Sequence, residues 1–313
     1  MSAAHVIAAA SVRAAGRISP GWGSAIALPL FGSVAAPHPI DPAERETMWR
    51  AERSTVRIPG VDRRGRDLAV YEWGRPDGDV IALAHGWNGR ASQFATLVRE
   101  LVSGGYRVAA FDAPAHGDSV GRGTYLLDWV AALGELQERH GRLTAVIGHS
   151  FGGLATLLAA AQGTAVDRVV TVAAPADADL LLSQFQKQVG FDDRTAAELR
   201  KRFARRYFPG VDDPFAVLSP LRHPLPRATR LLVVHDESDR VVPFREAARI
   251  VGANAGAVSL VTRDLGHSRI LRADPFLDAV LDFLATTMTR TEAPPVGEVP
   301  APRSRVDVLA LAG

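Results

Sequence analysis

A run of β-favouring residues, Leu143 to Ile147, leads into Gly148-His149-Ser150-Phe151-Gly152, and an Ala- and Leu-rich helical pattern follows at once. The stretch reads as strand, tight turn, helix. A G-x-S-x-G turn in that setting holds a serine hydroxyl proud of a parallel sheet, where it can act as a nucleophile. The flanking glycines are needed because side chains at those positions would collide with neighbouring backbone. The same residues also fit a plainer reading, a glycine-rich turn whose serine only caps the helix behind it. The rest of the chain has to decide between them.

Three other segments bear on the choice. Val80 to Ala84 is a buried-strand run that ends in His85-Gly86-Trp87-Asn88-Gly89, a loop able to aim a backbone N–H at a reacting carbonyl. Leu231 to Val234 is an apolar strand that opens into His235-Asp236-Glu237-Ser238-Asp239-Arg240-Val241-Val242-Pro243. Ser259 to Thr262 is a strand followed by a loop with Gly266-His267. The chain order is therefore Ser150, an acid near 239, then His267, the order expected when the nucleophile sits on this kind of elbow.

With these residues in hand, the chain resembles the α/β-hydrolase superfamily over roughly residues 54 to 288. Phe111-Asp112-Ala113-Pro114-Ala115-His116-Gly117-Asp118-Ser119 is similar to the family's D-x-P-G-H-G-x-S segment and departs from it in carrying Ala115 where glycine is usual. The resemblance implies an α/β fold, a mostly parallel, doubly wound sheet with an inserted helical cap. It favours Asp239 over its neighbour Asp236 as the acid, because Asp-Arg-Val-Val-Pro is similar to the family's D-x-x-V-P ending. It disfavours halide or epoxide hydrolysis, since those relatives carry Asp where this chain has Ser150.

Strand patterns near 54–58, 67–73, 80–85, 107–112, 143–148, 168–173, 229–235 and 257–262 alternate with helical patterns near 91–103, 124–140, 151–162, 244–252 and 275–288. Alternation at this spacing predicts a parallel sheet covered on both faces, with the leading hairpin antiparallel at one edge. Residues 1–53 read as an N-terminal arm, with a helix from about Pro42 to Arg53. Residues 54–175 and 225–288 read as the core, 176–224 as the helical cap, and 289–313 as a flexible tail.

Among the 313 residues there is no cysteine, which excludes disulfides, thiolate catalysis and Cys-based metal sites. The net charge of +2 leaves no broad electrostatic footprint for nucleic acid. Nearly all cations are arginine, which accounts for the pI near 9.3. No apolar run reaches the length of a membrane span. Arg13 and Arg17 follow the apolar start of the arm rather than precede it, the wrong order for a signal peptide. The arm is expected to pack on the domain as a peripheral helix and strap, with weak membrane association as the alternative and no stable membrane insertion, and a cytoplasmic location is expected.

A serine hydroxyl is a weak nucleophile unless a base takes its proton as the new bond forms. His267 is the expected base, with Asp239 accepting from its other ring nitrogen to fix the tautomer. The backbone N–H groups of Trp87 and Phe151 are the expected oxyanion donors. Trp87, Asn88, Leu181, Phe185 and Phe203 are the expected substrate pocket, while His85, His116 and His149 are expected to be structural. No metal or other cofactor is expected, and the partner is a small-molecule carboxylic ester. Thioester, amide or carbon–carbon-bond cleavage and perhydrolysis stay open, as does a ligand-binding receptor on the same fold. A compact cap predicts a preference for short or medium acyl chains.

Overall fold

The computed structural model describes residues 3–60 and 64–286, with the side chains of residues 3–5 left aside. The tail expected over 289–313 and residues 61–63, between the first two expected strands, lie outside the described residues.

Eight strands form one sheet in the order β1-β2-β4-β3-β5-β6-β7-β8. They are β1 (Glu52–Ile58), β2 (Arg66–Trp73), β3 (Val80–Ala84), β4 (Arg107–Phe111), β5 (Leu143–His149), β6 (Val166–Val172), β7 (Arg230–Asp236) and β8 (Val258–Thr262). β2 runs antiparallel to β1 and to β4, and every other pairing is parallel. All five residues of β3 are buried, as an apolar strand covered on both sides should be. Its alternation divides the core. Ile81 and Leu83 pack with Phe94, Leu97 and Phe276 on one face, and Val80, Ala82 and Ala84 pack with Trp129, Leu133 and Leu154 on the other.

The helices are α1 (Ala3–Ile18), α2 (Pro20–Phe31), α3 (Arg45–Trp49), α4 (Ala95–Ser103), α5 (Leu126–His140), α6 (Phe151–Ala161), α7 (Ala178–Val189), α8 (Asp193–Tyr207), α9 (Pro214–Val217), α10 (Arg245–Ala253), α11 (Gly266–Arg269) and α12 (Asp274–Ala285). The helix expected from Pro42 to Arg53 is shorter than the sequence suggests. It ends at Trp49, because Glu52 and Arg53 are drawn into β1 by register pairing with Glu72 and Tyr71.

Helices α7, α8 and α9 are inserted between β6 and β7, in the stretch that the sequence reads as a cap. The arm joins them. A β-carbon on Gly23 would stand 2.8 Å from the Cα of Gly16 and 2.9 Å from Thr195 Cγ2, so α1 and α2 meet at nearly bare backbone and α8 packs against them through the Thr195 side chain. Phe31 of α2 sits 5.2 Å from the ring of Phe185 and 6.0 Å from that of Phe203. Beyond α2 the chain forms a strap, pinned by an antiparallel bridge between Ser33 and Gly123 and by Ala35 N–H donating to Asn88 Oδ1 at 3.3 Å.

Strand order reverses around β3, with β4 on one side and β5 on the other. Open α/β sheets bind ligands outside the carboxyl ends of their strands at such a point. The loop carrying Trp87 and the turn carrying Ser150 leave the sheet there.

Candidate active site

Ser150 stands between β5 and α6 with φ 53° and ψ −121°, a conformation that costs a non-glycine residue of order 1–3 kcal/mol. Its side chain makes no capping hydrogen bond to α6, so the plainer N-cap reading fails. The strain is held by the backbone around it: Ser150 N–H donates to Val172 O at 2.8 Å, and Ser150 O accepts from Gly153 at 2.9 Å. The flanking glycines are required sterically. A β-carbon on Gly148 would lie 2.4 Å from Gly152 O, and one on Gly152 would lie 2.2 Å from Ala84 O.

His267 lies in α11, just after Gly266 at φ 66°. Its Nδ1 meets Asp239 Oδ2 at 2.8 Å. The other oxygen of Asp239 accepts from Val241 N–H at 2.7 Å and Val242 N–H at 2.9 Å. Burial pulls the Asp239 carboxyl upward, but the bonds from His267 and from Val242 and Val241 outweigh it and hold the group below its usual range. An ionised acceptor thus faces Nδ1 and leaves Nε2 as the ring atom directed elsewhere. Asp236 is occupied differently. It accepts from Ser238 N–H, Thr262 Oγ1 and Leu265 N–H, tying the loops after β7 and β8 together.

Ser150 and His267 line one cavity of about 520 Å³. Trp87, Asn88, Leu181, Phe185 and Phe203, expected from the sequence, line it too. Leu182, Phe191 and Phe208, apolar residues of the same insertion, are instead buried in the core. The sequence reading missed Ala8 and Ala9 of α1, Leu30 and Phe31 of α2, and Tyr125 at the start of α5. The signal available for the arm was the apolar character of residues 1–10 and 24–37, on either side of Arg13 and Arg17. Among the described residues lining the cavity there is no Asp, Glu, Lys or Arg.

Among the described residues, the N–H groups of Trp87 and Phe151 donate to no protein acceptor. The next amide along, Asn88 N–H, is taken by His116 Nε2 at 3.0 Å. The Trp87 ring is stacked on Trp129 at 6.1 Å and lies 5.1 Å from Phe151, which fixes the loop over the turn.

His85, His116 and His149 are held by neighbouring backbone and, for His149, by the Gln93 side chain as well. His85 joins Gly86 O and accepts from Ala113 N–H at 2.9 Å. His116 joins Pro114 O and accepts from Asn88 N–H. His149 Nε2 meets His267 O at 2.8 Å while its Nδ1 meets Gln93 Nε2 at 3.1 Å. In each, one ring nitrogen must donate to a carbonyl and the other must accept, so each ring is neutral. Burial is the main reason that His85 is pushed down to about 4. It likewise pushes His116 and His149 down to about 3. With both nitrogens engaged, none of them is free to ligate a metal. Among the described residues, no group of three or more acidic or histidine side chains is placed to hold one.

Comparison with known proteins agrees with this architecture. The profile of the alpha/beta hydrolase family matches residues 81–279. The chain is 30% identical over 270 residues to the lysophosphatidylserine lipase ABHD12 of Xenopus tropicalis, covering 74% of this chain and 64% of that protein. It is 36% identical over 118 residues to the non-heme chloroperoxidase of Streptomyces lividans, covering 35% of this chain and 42% of that one. The chain thus spans less than two thirds of the length of these relatives. Among solved structures, the Pyrococcus furiosus esterase Pf2001 superposes with a TM-score of 0.56 at 21% identity over 80% of this chain and 96% of that one. A bromoperoxidase from Bacillus anthracis gives 0.54 at 19% identity over 74% and 99%. Among the described residues, no helix is long and apolar enough to cross a membrane. The elbow, the sheet order and the matched profile together make this chain a member of the alpha/beta hydrolase family.

Proposed function

We propose that the protein is a serine hydrolase that cleaves carboxylic esters carrying a neutral, apolar acyl group. The observation that carries this reading is the pairing of His267 Nδ1 with the buried Asp239 carboxylate in the wall of the cavity that also exposes the strained, uncapped Ser150. In this reading His267 Nε2 takes the proton from Ser150 Oγ as Oγ adds to the ester carbonyl. The negative charge that develops on the carbonyl oxygen is met by Trp87 N–H and Phe151 N–H, the latter at the positive end of α6. The imidazolium then passes its proton to the departing alkoxide. The acyl-enzyme remains, and a water activated by the same imidazole cleaves it, restoring the Ser150 hydroxyl and releasing the acid. Asp239 keeps its charge throughout and stabilises the imidazolium.

The cavity supports the substrate class. A wall of Leu30, Phe31, Leu181, Phe185 and Phe203 with no fixed charge favours an uncharged acyl chain over an acidic or cationic one. The lipase and peroxidase names belong to the relatives. The ester reading for this chain rests on the site.

A fluorophosphonate followed by peptide mapping tests the nucleophile, and a series of nitrophenyl esters tests the acyl pocket. Expected are an adduct on Ser150, its loss in Ser150→Ala, strong slowing in His267→Ala, and the fastest turnover on short or medium acyl chains. Tight binding of a small molecule with no adduct would favour a receptor instead. Fastest turnover on long-chain lipid esters would overturn the acyl-length reading.

A further inference from the structure

The hairpin of α1 and α2 is apolar on both sides. Its inner side contributes Ala8, Ala9, Leu30 and Phe31 to the cavity. Its outer side leaves Ile7 66%, Ile18 73% and Trp22 62% exposed, with Val6 and Ile26 beside them. Exposed apolar side chains scattered singly need no explanation, but this group is gathered on two adjoining helices. Trp22 adds a ring suited to the boundary between water and lipid.

Charge decides what would cover the patch. Residues 1–40 hold no Asp or Glu, and their charged side chains are Arg13 and Arg17. Arg17 has no salt bridge among the described residues. The neighbouring α8 carries six cations, Arg194, Arg200, Lys201, Arg202, Arg205 and Arg206, against two acids, Asp193 and Glu198. Arg202 donates to Gly21 O at 3.1 Å and to Ser24 Oγ at 3.0 Å, which clamps α8 along α2. One turn further on, Arg205 and Arg206 are exposed; Arg205 is paired with Glu198 at 2.8 Å, and Arg206 has no salt bridge among the described residues. Two copies meeting through this face would bring arginines against arginines with no acid from the hairpin to answer them. An anionic lipid surface supplies both missing partners, a hydrocarbon boundary for Ile7, Ile18 and Trp22 and phosphate or carboxylate for Arg17 and Arg206.

We propose that the outer face of the α1–α2 hairpin docks on an anionic lipid bilayer and so presents the cavity to esters dissolved in that bilayer. The docking stands whether or not the protein is an esterase. Only its use in substrate delivery rests on the hydrolase reading.

The test is co-sedimentation of the full chain with vesicles of phosphatidylcholine alone and of phosphatidylcholine mixed with phosphatidylserine. Ile7→Ser/Ile18→Ser/Trp22→Ser and Arg17→Gln serve as separate variants. The wild type is expected to pellet with the mixed vesicles and much less with the neutral ones. The triple variant is expected to lose at least roughly tenfold in partition coefficient, since three apolar side chains no longer leave water. Arg17→Gln is expected to lose a few-fold, with the remaining binding less sensitive to salt. Far-ultraviolet circular dichroism and turnover of a water-soluble short-chain ester report folding and are expected to stay unchanged. Should the triple variant misfold, Trp22→Ser alone and Arg17→Gln still decide. Failure to pellet with mixed vesicles, or equal pelleting of wild type and variants, overturns the proposal. So does a dimer in sedimentation velocity that these same substitutions abolish, because the face would then belong to a second copy. Vesicle binding without any esterase activity would retire the hydrolase reading and leave the docking surface in place.

Discussion

The imidazole of His149 donates from Nε2 to the main-chain oxygen of His267 at 2.8 Å, and the two rings lie 4.8 Å apart. The residue before the elbow serine therefore holds the backbone of the loop histidine. Gln93 completes the chain by donating to the other nitrogen of His149. A buried neutral ring is the right link here, because a charged one would repel a protonated His267 during turnover.

Replacing His149 by Ala removes that tether and leaves His267 with its Asp239 bond alone. The expected result is a fall in kcat/KM of roughly ten- to a hundredfold on a soluble ester, the scale of a misplacement near 1 Å. Fluorophosphonate labelling should slow in parallel while the circular dichroism spectrum is retained. An unchanged rate would mean that the Asp239 bond positions the ring unaided.

The two neighbouring acids are expected to separate cleanly. Asp239→Asn should lower kcat by roughly ten-thousandfold with modest change in stability, because the amide no longer selects the working tautomer or stabilises the imidazolium. Asp236→Asn should instead cost about 1–3 kcal/mol of stability, since its carboxylate serves Ser238, Thr262 and Leu265. Steady-state kinetics and urea titration of both variants check the division.

Ala115 occupies a left-handed conformation with φ 65°, at the place where the D-x-P-G-H-G-x-S pattern it resembles has glycine. An alanine pays about 1 kcal/mol there, partly offset by the smaller entropy of its unfolded chain. Ala115→Gly is expected to raise the thermal midpoint, by an amount corresponding to no more than about 1 kcal/mol, without altering turnover. A lowered midpoint in differential scanning calorimetry would contradict this.

Acid should unfold the protein from well above the carboxylate range. His85, His116 and His149 are held neutral when folded, with values pushed to about 4, 3 and 3 from an ordinary 6.5. The unfolded chain binds more protons than the folded one between those limits, so stability is full above about 6.5 and drains away as pH falls toward 3. The depressed Asp239 adds to the loss at the lower end, while Asp112, raised by burial, works against it. The urea midpoint measured across this range should decline steadily. Substituting His116 by Asn should flatten the slope if the folded protein tolerates the change.

Much of the architecture was legible because strand and helix alternate with clear periods. Val80–Ala84 and Leu231–Val234 could hardly be anything but buried strands, and the two glycines around Ser150 announce the turn. That Asp239 rather than Asp236 would meet His267 followed only from the resemblance of Asp-Arg-Val-Val-Pro to a family ending, since the two acids are alike in type and differ only in what surrounds them in space. The bond from His149 to His267 was not legible, since it joins residues 118 apart through a tertiary contact. Nor was the share of the arm in the cavity. α2 is apolar nearly all round and interrupted by Pro29, so it carries no period to say which side faces inward.

The arm's contact with the cavity has a practical consequence. A shortened protein beginning at Asp41 would keep Ser150, Asp239 and His267 but be unroofed: Leu30 and Phe31 would be gone, and Phe185 and Phe203 would face water. Its activity on acetyl esters would survive better than its activity on medium-chain ones, and screening such a fragment would understate the acyl length that the whole chain accepts.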